Sequence, residues 1–165
     1  RASEEALEIK EAFGNRKVYE ITGQPEITAT WPASKLLWFK KNLPEVFEKT
    51  RKIFLLEDYI LYKLTGEFVT EKSLQSSSLY FDIRNGEWWD EMLTFLGVSK
   101  EKLPRLFDSA QYVGDYNGIK VMTSGMDQVA AAIGAGVLHE GDISEMTGTS
   151  MVLFAPCNSI PQTAA

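Results

Sequence analysis

Residues 120–136 read KVMTSGMDQVAAAIGAG, and this pattern predicts a short strand, a tight Ser-Gly turn and a short helix. Asp127 lies where the turn becomes the helix. A carboxylate at such a corner is close to the free backbone N–H groups of the first helical turn and to the positive end of the helix dipole. Asp127 is therefore either a helix cap or a functional acid facing a cleft, and the two roles are compatible.

A second motif, Gly148-Thr149-Ser150, lies between residues 143–147 and 151–155, which both predict strands. The two strands would pair as a hairpin across this motif. Glycine lets a backbone approach a phosphate closely, and neighbouring N–H and hydroxyl groups can donate to phosphate oxygens. An ordinary hairpin turn, in which the same residue types are common, is the alternative.

The chain before these motifs consists mainly of predicted helices. Apolar spacing and stop signals predict helices over residues 2–13, 32–41, 44–50, most of 53–64 and 88–96. Gly14 is expected to end the first of them, and the fourth is expected to bury one broad face. The serine-rich residues 73–78 predict a packed segment, and residues 111–118 predict a polar connection. The fold class is α/β, with so few strands that the rest of the sheet is expected outside this chain.

Composition sets further limits on function. The formal net charge of −6 disfavours nucleic acids as partners, and no apolar run approaches the ~20 residues that span a bilayer. Cys157 is the single cysteine and fits a reducing compartment, while His139 is the single histidine and cannot build a zinc site with one cysteine. The chain begins without Met and stops without a finished element, so both ends are expected to be cut.

Several short motifs follow one another in an order that points to one family. They are Lys35-Leu36-Leu37-Trp38, Asn42-Leu43-Pro44-Glu45, Glu57-Asp58-Tyr59, Leu64-Thr65-Gly66, Thr70, Ser73, Trp88, Leu103-Pro104, Gly125-Met126-Asp127-Gln128, Gly134-Ala135-Gly136 and Gly148-Thr149-Ser150. Over almost its whole length the chain resembles the FGGY carbohydrate kinases, the family of xylulose, gluconate and glycerol kinases.

The resemblance implies an actin-like, ribonuclease H-like fold of two domains with a cleft between them. Residues 1–136 would be the later part of the N-terminal, sugar-binding domain, and residues 137–165 would open the C-terminal, nucleotide-binding domain. The implied activity is ATP-dependent and Mg²⁺-dependent phosphorylation of a small sugar or polyol, with a pentulose such as xylulose as the first choice. The resemblance further implies a cytoplasmic enzyme, leaves a homodimer open, and places the Mg²⁺ ligands mostly outside this chain.

The resemblance also assigns roles to individual residues. Asp127 matches the catalytic base and contacts the substrate, and Gln128 matches a position that contacts the substrate through its amide. Gly148, Thr149 and Ser150 match a turn that binds the phosphates of ATP. Thr30 and Trp31 lie where family members can place a sugar contact, although a Trp there can equally belong to the core. No metal ligand is assigned.

Two other functions are compatible with the same sequence. One is a non-catalytic sugar-binding or regulatory module that keeps the fold of the first kinase domain. The other is a structural α/β domain in which Asp127 is only a cap and Gly148–Ser150 only a turn. Binding of sugar without ATP would favour the module, and a phosphate at the hairpin or a sugar beside Asp127 would exclude the structural domain.

Overall fold

The computed structural model describes residues 1–148 and 151–159 as an alternation of helices and short strands. The helices are α1 (Ser3–Thr22), α2 (Pro32–Asn42), α3 (Pro44–Lys49), α4 (Leu56–Thr65), α5 (Lys72–Gln75), α6 (Asp90–Leu96) and α7 (Asp127–Gly134). The strands are β1 (Val69–Glu71), β2 (Phe81–Asp82), β3 (Glu87–Trp88), β4 (Arg105–Phe107), β5 (Tyr112–Tyr116), β6 (Ile119–Met122), β7 (Ser144–Thr147) and β8 (Met151–Phe154). The predicted α/β class is confirmed.

The strands pair two by two. β1 and β4 are parallel, whereas β2–β3, β5–β6 and β7–β8 are antiparallel hairpins. The predicted hairpin across residues 148–150 is present, with Thr147 opposite Met151. Among the described residues each sheet has two strands, which fits the expectation that the chain holds only part of a larger sheet.

Most of the buried apolar side chains form one core between α1, α2, α6 and the segment that leads into β2. This core includes Ile9, Val18, Leu37, Leu79, Tyr80, Met92 and Leu96. A smaller cluster of Leu61, Val69 and Val113 packs α4 against β1 and β5. The serine-rich segment is packed, as predicted, because Gln75 and Ser78 within it are buried.

Gly14 interrupts the first helix as predicted, but the helix that follows it was not predicted. Gly14 does leave the helical conformation, with φ 72° and ψ 149°, but the chain resumes the helix and continues to Thr22. Val18 and Thr22 are buried there, and this tertiary burial favours a helix beyond Gly14, where the sequence pattern predicted none. Gly23 ends the helix, and its N–H donates to the Tyr19 carbonyl at 2.8 Å.

Two further sequence expectations fail. The fourth helix was expected to bury a broad face, yet Leu56 and Ile60 are 78% and 51% exposed, and the buried residues of α4 are Asp58 and Leu61. Residues 111–118 were expected to be a polar connection, but they form β5 and the turn to β6. Asn117 and Gly118 adopt positive φ values of 51° and 79°, as a two-residue hairpin turn requires.

Asp58 is a fully buried carboxyl group in the first turn of α4. Its Oδ2 atom accepts hydrogen bonds from the Leu55 N–H at 2.9 Å and from Gln75 Nε2 at 3.4 Å. Burial raises the pKa of Asp58, and the Thr70 hydroxyl and the Leu55 N–H partly offset this increase. Asp58 therefore fastens the start of α4 to α5 at the cost of removing a carboxyl group from water.

In the part of the chain that the structure describes, no helix is both long enough and apolar enough to cross a membrane.

We expect Asp58→Ala to lower the free energy of unfolding by about 1–3 kcal/mol, because the Leu55 N–H and the buried Gln75 amide lose their acceptor. Urea denaturation followed by tryptophan fluorescence measures the change. Asp90→Ala is the control, since Asp90 forms an exposed ion pair with Lys100 that is worth about 0–1 kcal/mol. Equal losses in the two variants would contradict the structural role of Asp58.

We expect Asp58→Asn to change the pH dependence of stability. Because folding raises the pKa of Asp58, the folded state binds this proton more tightly, and the stabilisation present at low pH is lost as pH rises through the folded pKa. Asparagine does not titrate, and its amide oxygen can still accept the Leu55 N–H. The stability of Asp58→Asn relative to the parent should therefore increase between about pH 4 and 7 in urea denaturation. A constant difference over this range would disprove the assignment.

Candidate functional site

Asp127 is the first residue of α7, directly after the turn that follows β6. The residue at the N-cap position is Met126, which makes no side-chain cap. Asp127 Oδ1 accepts the N–H of Gln128 at 2.7 Å, so the carboxylate satisfies one free N–H of the first helical turn from inside the helix. The predicted strand, turn and helix are confirmed, while the cap role is reduced to this single contact.

The Asp127 side chain is exposed and one of its oxygens is open. Within residues 1–148 and 151–159, Oδ1 has the Gln128 N–H as its partner, and no hydrogen bond to Oδ2 is present. The carboxylate is thus fixed on one side and free on the other. A carboxylate in this state can accept a proton from a hydroxyl group that approaches Oδ2.

Gln128 carries an unsatisfied acceptor next to Asp127. Its Oε1 atom is buried and has no hydrogen-bond partner among the described residues. A buried acceptor without a donor costs about 1–3 kcal/mol, so a group that donates to this oxygen would be bound favourably. A sugar hydroxyl is such a donor.

The turn before Asp127 is tied to a neighbouring loop through Thr123, which is buried. The Thr123 hydroxyl donates to the Asp108 carbonyl at 2.7 Å and accepts the Gln111 N–H at 2.9 Å. The backbone of Thr123 adds two bonds, from its N–H to the Gln111 carbonyl and from the Ala110 N–H to its own carbonyl. The position of the turn is therefore set by side chains and backbone distant in sequence.

Three acidic residues lie behind this turn, and the sequence analysis assigned a role to none of them. They are Glu57 and Asp58 at the start of α4 and Glu71 at the end of β1. Burial raises the pKa of Glu57, the charges of Asp58 and Glu71 raise it further, and the Ser124 N–H lowers it. No local signal in the sequence marks Glu71, because one of its donors, the Ser109 hydroxyl, lies 38 residues along the chain.

Thr30 and Trp31 lie at the start of α2. The Trp31 indole N–H donates to the Glu26 carbonyl at 2.8 Å, and the ring packs on the main core, whereas Thr30 is exposed and its hydroxyl contacts that of Thr28. Among the described residues, no hydrogen bond links Thr30 or Trp31 to Asp127 or Gln128. Their sugar contact stays a prediction, and the packing of Trp31 agrees with the core alternative.

Of the three residues predicted to bind phosphate, Gly148 is described, while Thr149 and Ser150 lie outside the described residues. Gly148 is exposed, and a Cβ atom built on it would meet nothing within 4 Å among the described residues. Strand β8 of the same hairpin contacts α7, the helix that begins at Asp127. The hairpin is thus a neighbour of the Asp127 helix, and phosphate binding stays a prediction.

Comparisons with known proteins agree with this architecture. Residues 1–137 match the FGGY family of carbohydrate kinases, N-terminal domain. The chain is 36% identical to the xylulose kinase of Haemophilus influenzae, over 93% of the chain and 34% of the relative. It is 33% identical to the glycerol kinase of Thermococcus onnurineus, over 94% of the chain and 33% of the relative. The chain therefore spans about a third of the length of the curated relatives it matches.

Solved structures give the same result. A "xyloylose kinase" from Brucella ovis matches 94% of the chain with a TM-score of 0.86 and 29% identity, and the match covers 32% of that protein. The expected actin-like, ribonuclease H-like fold is confirmed by this likeness. The sequence match over residues 1–137 and the structural match agree, and this chain belongs to the FGGY family of carbohydrate kinases.

Proposed function

We propose that this chain is the part of an ATP-dependent carbohydrate kinase that binds the acceptor and supplies its base, Asp127. Residues 1–136 belong to the sugar-binding domain, and residues 137–165 begin the nucleotide-binding domain. The acceptor is a small sugar or polyol, with a pentulose such as xylulose as the first candidate. Relatives named xylulose kinase and glycerol kinase support the reaction class while differing in acceptor. The cytoplasmic location and the homodimer stay predictions.

The observation that carries the proposal is a pair of acceptor atoms without a hydrogen-bond donor at the start of α7, within the described residues. Asp127 Oδ2 is exposed and free, and Gln128 Oε1 is buried without a donor. On acceptor binding the Gln128 side chain turns outward, and the two consecutive residues then bind two neighbouring hydroxyl groups of a sugar or polyol. Gln128 then orients the acceptor, and Asp127 takes the proton of the hydroxyl that reacts.

The reaction that follows is phosphoryl transfer. The acceptor oxygen forms a bond to the γ-phosphorus of ATP as the bond from that phosphorus to the bridging oxygen of ADP breaks. The hydroxyl proton passes to Asp127, which prevents positive charge from building up on the acceptor oxygen. A positioned base of this kind contributes about 10²–10⁴-fold in rate. The hydrogen bond to Oδ1 keeps the carboxylate in one orientation, and Oδ2 accepts the proton.

Phosphoryl transfer also requires hydrogen-bond donors to the ATP phosphates and a metal ion. Gly148, with Thr149 and Ser150 beyond the described residues, is the proposed contact for the ATP phosphates. Mg²⁺, when bound with ATP, would neutralise the charge of those phosphates. Within the described residues, no group of three or more His, Cys, Asp or Glu side chains is placed to hold a metal ion. That the Mg²⁺ ligands lie mostly outside this chain stays a prediction.

Asp127→Asn tests the base directly in the intact kinase that contains this chain. We expect kcat for sugar-dependent ATP turnover to fall about 10²–10⁴-fold, because the amide cannot take a proton, while acceptor binding changes little. Asp115→Asn is the control, since Asp115 is an exposed carboxylate on β5 that accepts the Tyr112 hydroxyl. Turnover of Asp127→Asn close to that of the control would rule out the base assignment.

Gln128→Ala tests the second acceptor. We expect KM for the sugar to rise about tenfold with the melting temperature unchanged or raised, because the substitution removes an oxygen that is unsatisfied without substrate. Gln24→Ala is the control, since the Gln24 amide already donates to the Ser76 carbonyl. The control should lose stability and keep its KM. A loss of stability in Gln128→Ala with an unchanged KM would contradict the substrate contact.

A further inference from the structure

Glu71 is a buried carboxylate that receives four hydrogen bonds. Its Oε1 atom accepts the Ser73 N–H at 2.9 Å and the Ser109 hydroxyl at 2.8 Å. Its Oε2 atom accepts the Leu74 N–H at 2.9 Å and the Ser73 hydroxyl at 2.5 Å. The side chain is 2% exposed. Every partner donates, and a carboxylate, which only accepts, satisfies all four at once.

The direction of these bonds determines what Ser73 can do. The Ser73 hydroxyl gives its single proton to Glu71, so its lone pairs remain free to accept. The Met126 N–H donates to this oxygen at 2.9 Å. Glu71 therefore holds the backbone of the residue immediately before Asp127, through one serine hydroxyl.

The same carboxylate holds a second element against the turn. Ser109 belongs to the loop to which Thr123 is tied, and its hydroxyl donates to Glu71. Gly125 lies over both serines, since a Cβ atom built on it would be 3.5 Å from the Ser73 hydroxyl and 3.7 Å from that of Ser109. Glu71 thus holds the turn through the Ser73 hydroxyl and holds the neighbouring loop through the Ser109 hydroxyl.

We propose that Glu71 and Ser73 are positioning residues for the catalytic base, which act by fixing the 123–126 turn and with it the orientation of Asp127. This inference rests on the proposed function, because it concerns the reaction assigned to Asp127. Neither residue touches the acceptor in this account. Small displacements of a catalytic group are costly, since a misplacement of about 1 Å can lower the rate about a hundredfold.

A purely local role for Glu71 would be the N-cap of α5. The bonds from the Ser73 and Leu74 N–H groups serve that role. The bonds from the Ser109 hydroxyl and the Ser73 hydroxyl do not, because they lead to the loop and to Met126, which is 53 residues along the chain from Ser73. The two functions can be separated by substituting Ser73, which leaves the cap bonds in place.

The test compares Ser73→Ala with Ser76→Ala in the intact kinase. Ser73→Ala removes the hydroxyl that binds Met126. Ser76→Ala removes a hydroxyl of the same segment that donates only to the Ser73 carbonyl, at 2.6 Å. Ser73→Thr keeps the hydroxyl and serves as the rescue. Each variant is measured for kcat, KM of the acceptor, melting temperature and the hydrogen-exchange rate of the Met126 amide.

We expect Ser73→Ala to lower kcat about 10- to 100-fold with KM within about twofold of the parent, because the base and not the acceptor is displaced. The Met126 amide should exchange about tenfold faster, since its hydrogen bond is lost. Ser76→Ala should match the parent in kcat and in the exchange rate of the Met126 amide. Ser73→Thr should restore the parent values of these two quantities. Glu71→Gln should resemble Ser73→Ala, because either orientation of the amide turns its NH₂ group toward a backbone N–H that also donates.

Two outcomes overturn the inference while the proposed function stands. One is a kcat of Ser73→Ala equal to that of Ser76→Ala, whatever the exchange rate. The other is an equal rise of KM and loss of melting temperature in the two variants, which would indicate a structural role only. The proposed function fails by a different result, namely an Asp127→Asn variant that keeps its turnover. The positioning role then falls with it.

Discussion

The hydrogen bond from the Met126 N–H to the Ser73 hydroxyl joins the two halves of this chain at the place where function is proposed. On one side of it are α4, β1 and α5, and on the other are β6 and α7. The 123–126 turn has one large apolar side chain, Met126, so hydrophobic surface can fix it only in part. Hydrogen bonds to buried side chains hold the rest of the turn. Because hydrogen bonds are directional, they fix the orientation of the turn as well as its position.

The buried carboxylates explain why this arrangement is costly and yet stable. Removing a carboxylate from water is unfavourable unless donors replace the water molecules. Glu71 receives four donors, whereas Asp58 receives two on one oxygen and keeps its other oxygen without a partner among the described residues. Burial accordingly raises the pKa of Asp58 and of its neighbour Glu57. Carboxyl groups with shifted pKa values therefore lie next to the turn, as they often do at functional sites.

Local signals predicted the strand, turn and helix around Asp127 and the hairpin after it. These elements depend on apolar spacing and on a Gly-containing turn, which are visible within about ten residues. The same kind of signal was present at Asn117-Gly118, but the β5–β6 hairpin was missed because residues 111–118 were interpreted as a polar connection although Val113, Ile119 and Val121 lie beside the turn.

Tertiary burial accounts for what the sequence did not predict. The helix beyond Gly14 forms because Val18 and Thr22 reach the core, and α4 exposes Leu56 and Ile60 although its composition indicates a broad buried face. The role of Glu71 could not be read from its surroundings in the sequence, since two of its four donors, the hydroxyls of Ser73 and Ser109, are set by the three-dimensional contacts of the turn. The candidate site was therefore predictable at Asp127 and Gln128 but not in the residues behind them.

The most direct test of the central claim is a crystal structure of the intact kinase with its acceptor sugar bound. The account predicts a sugar hydroxyl within about 2.6–3.2 Å of Asp127 Oδ2, the distance at which a base can take its proton. It also predicts a second hydroxyl donating to Gln128 Oε1, with the Met126 N–H still bound to Ser73. An acceptor bound away from α7, or with no hydroxyl in reach of Asp127, would contradict the account.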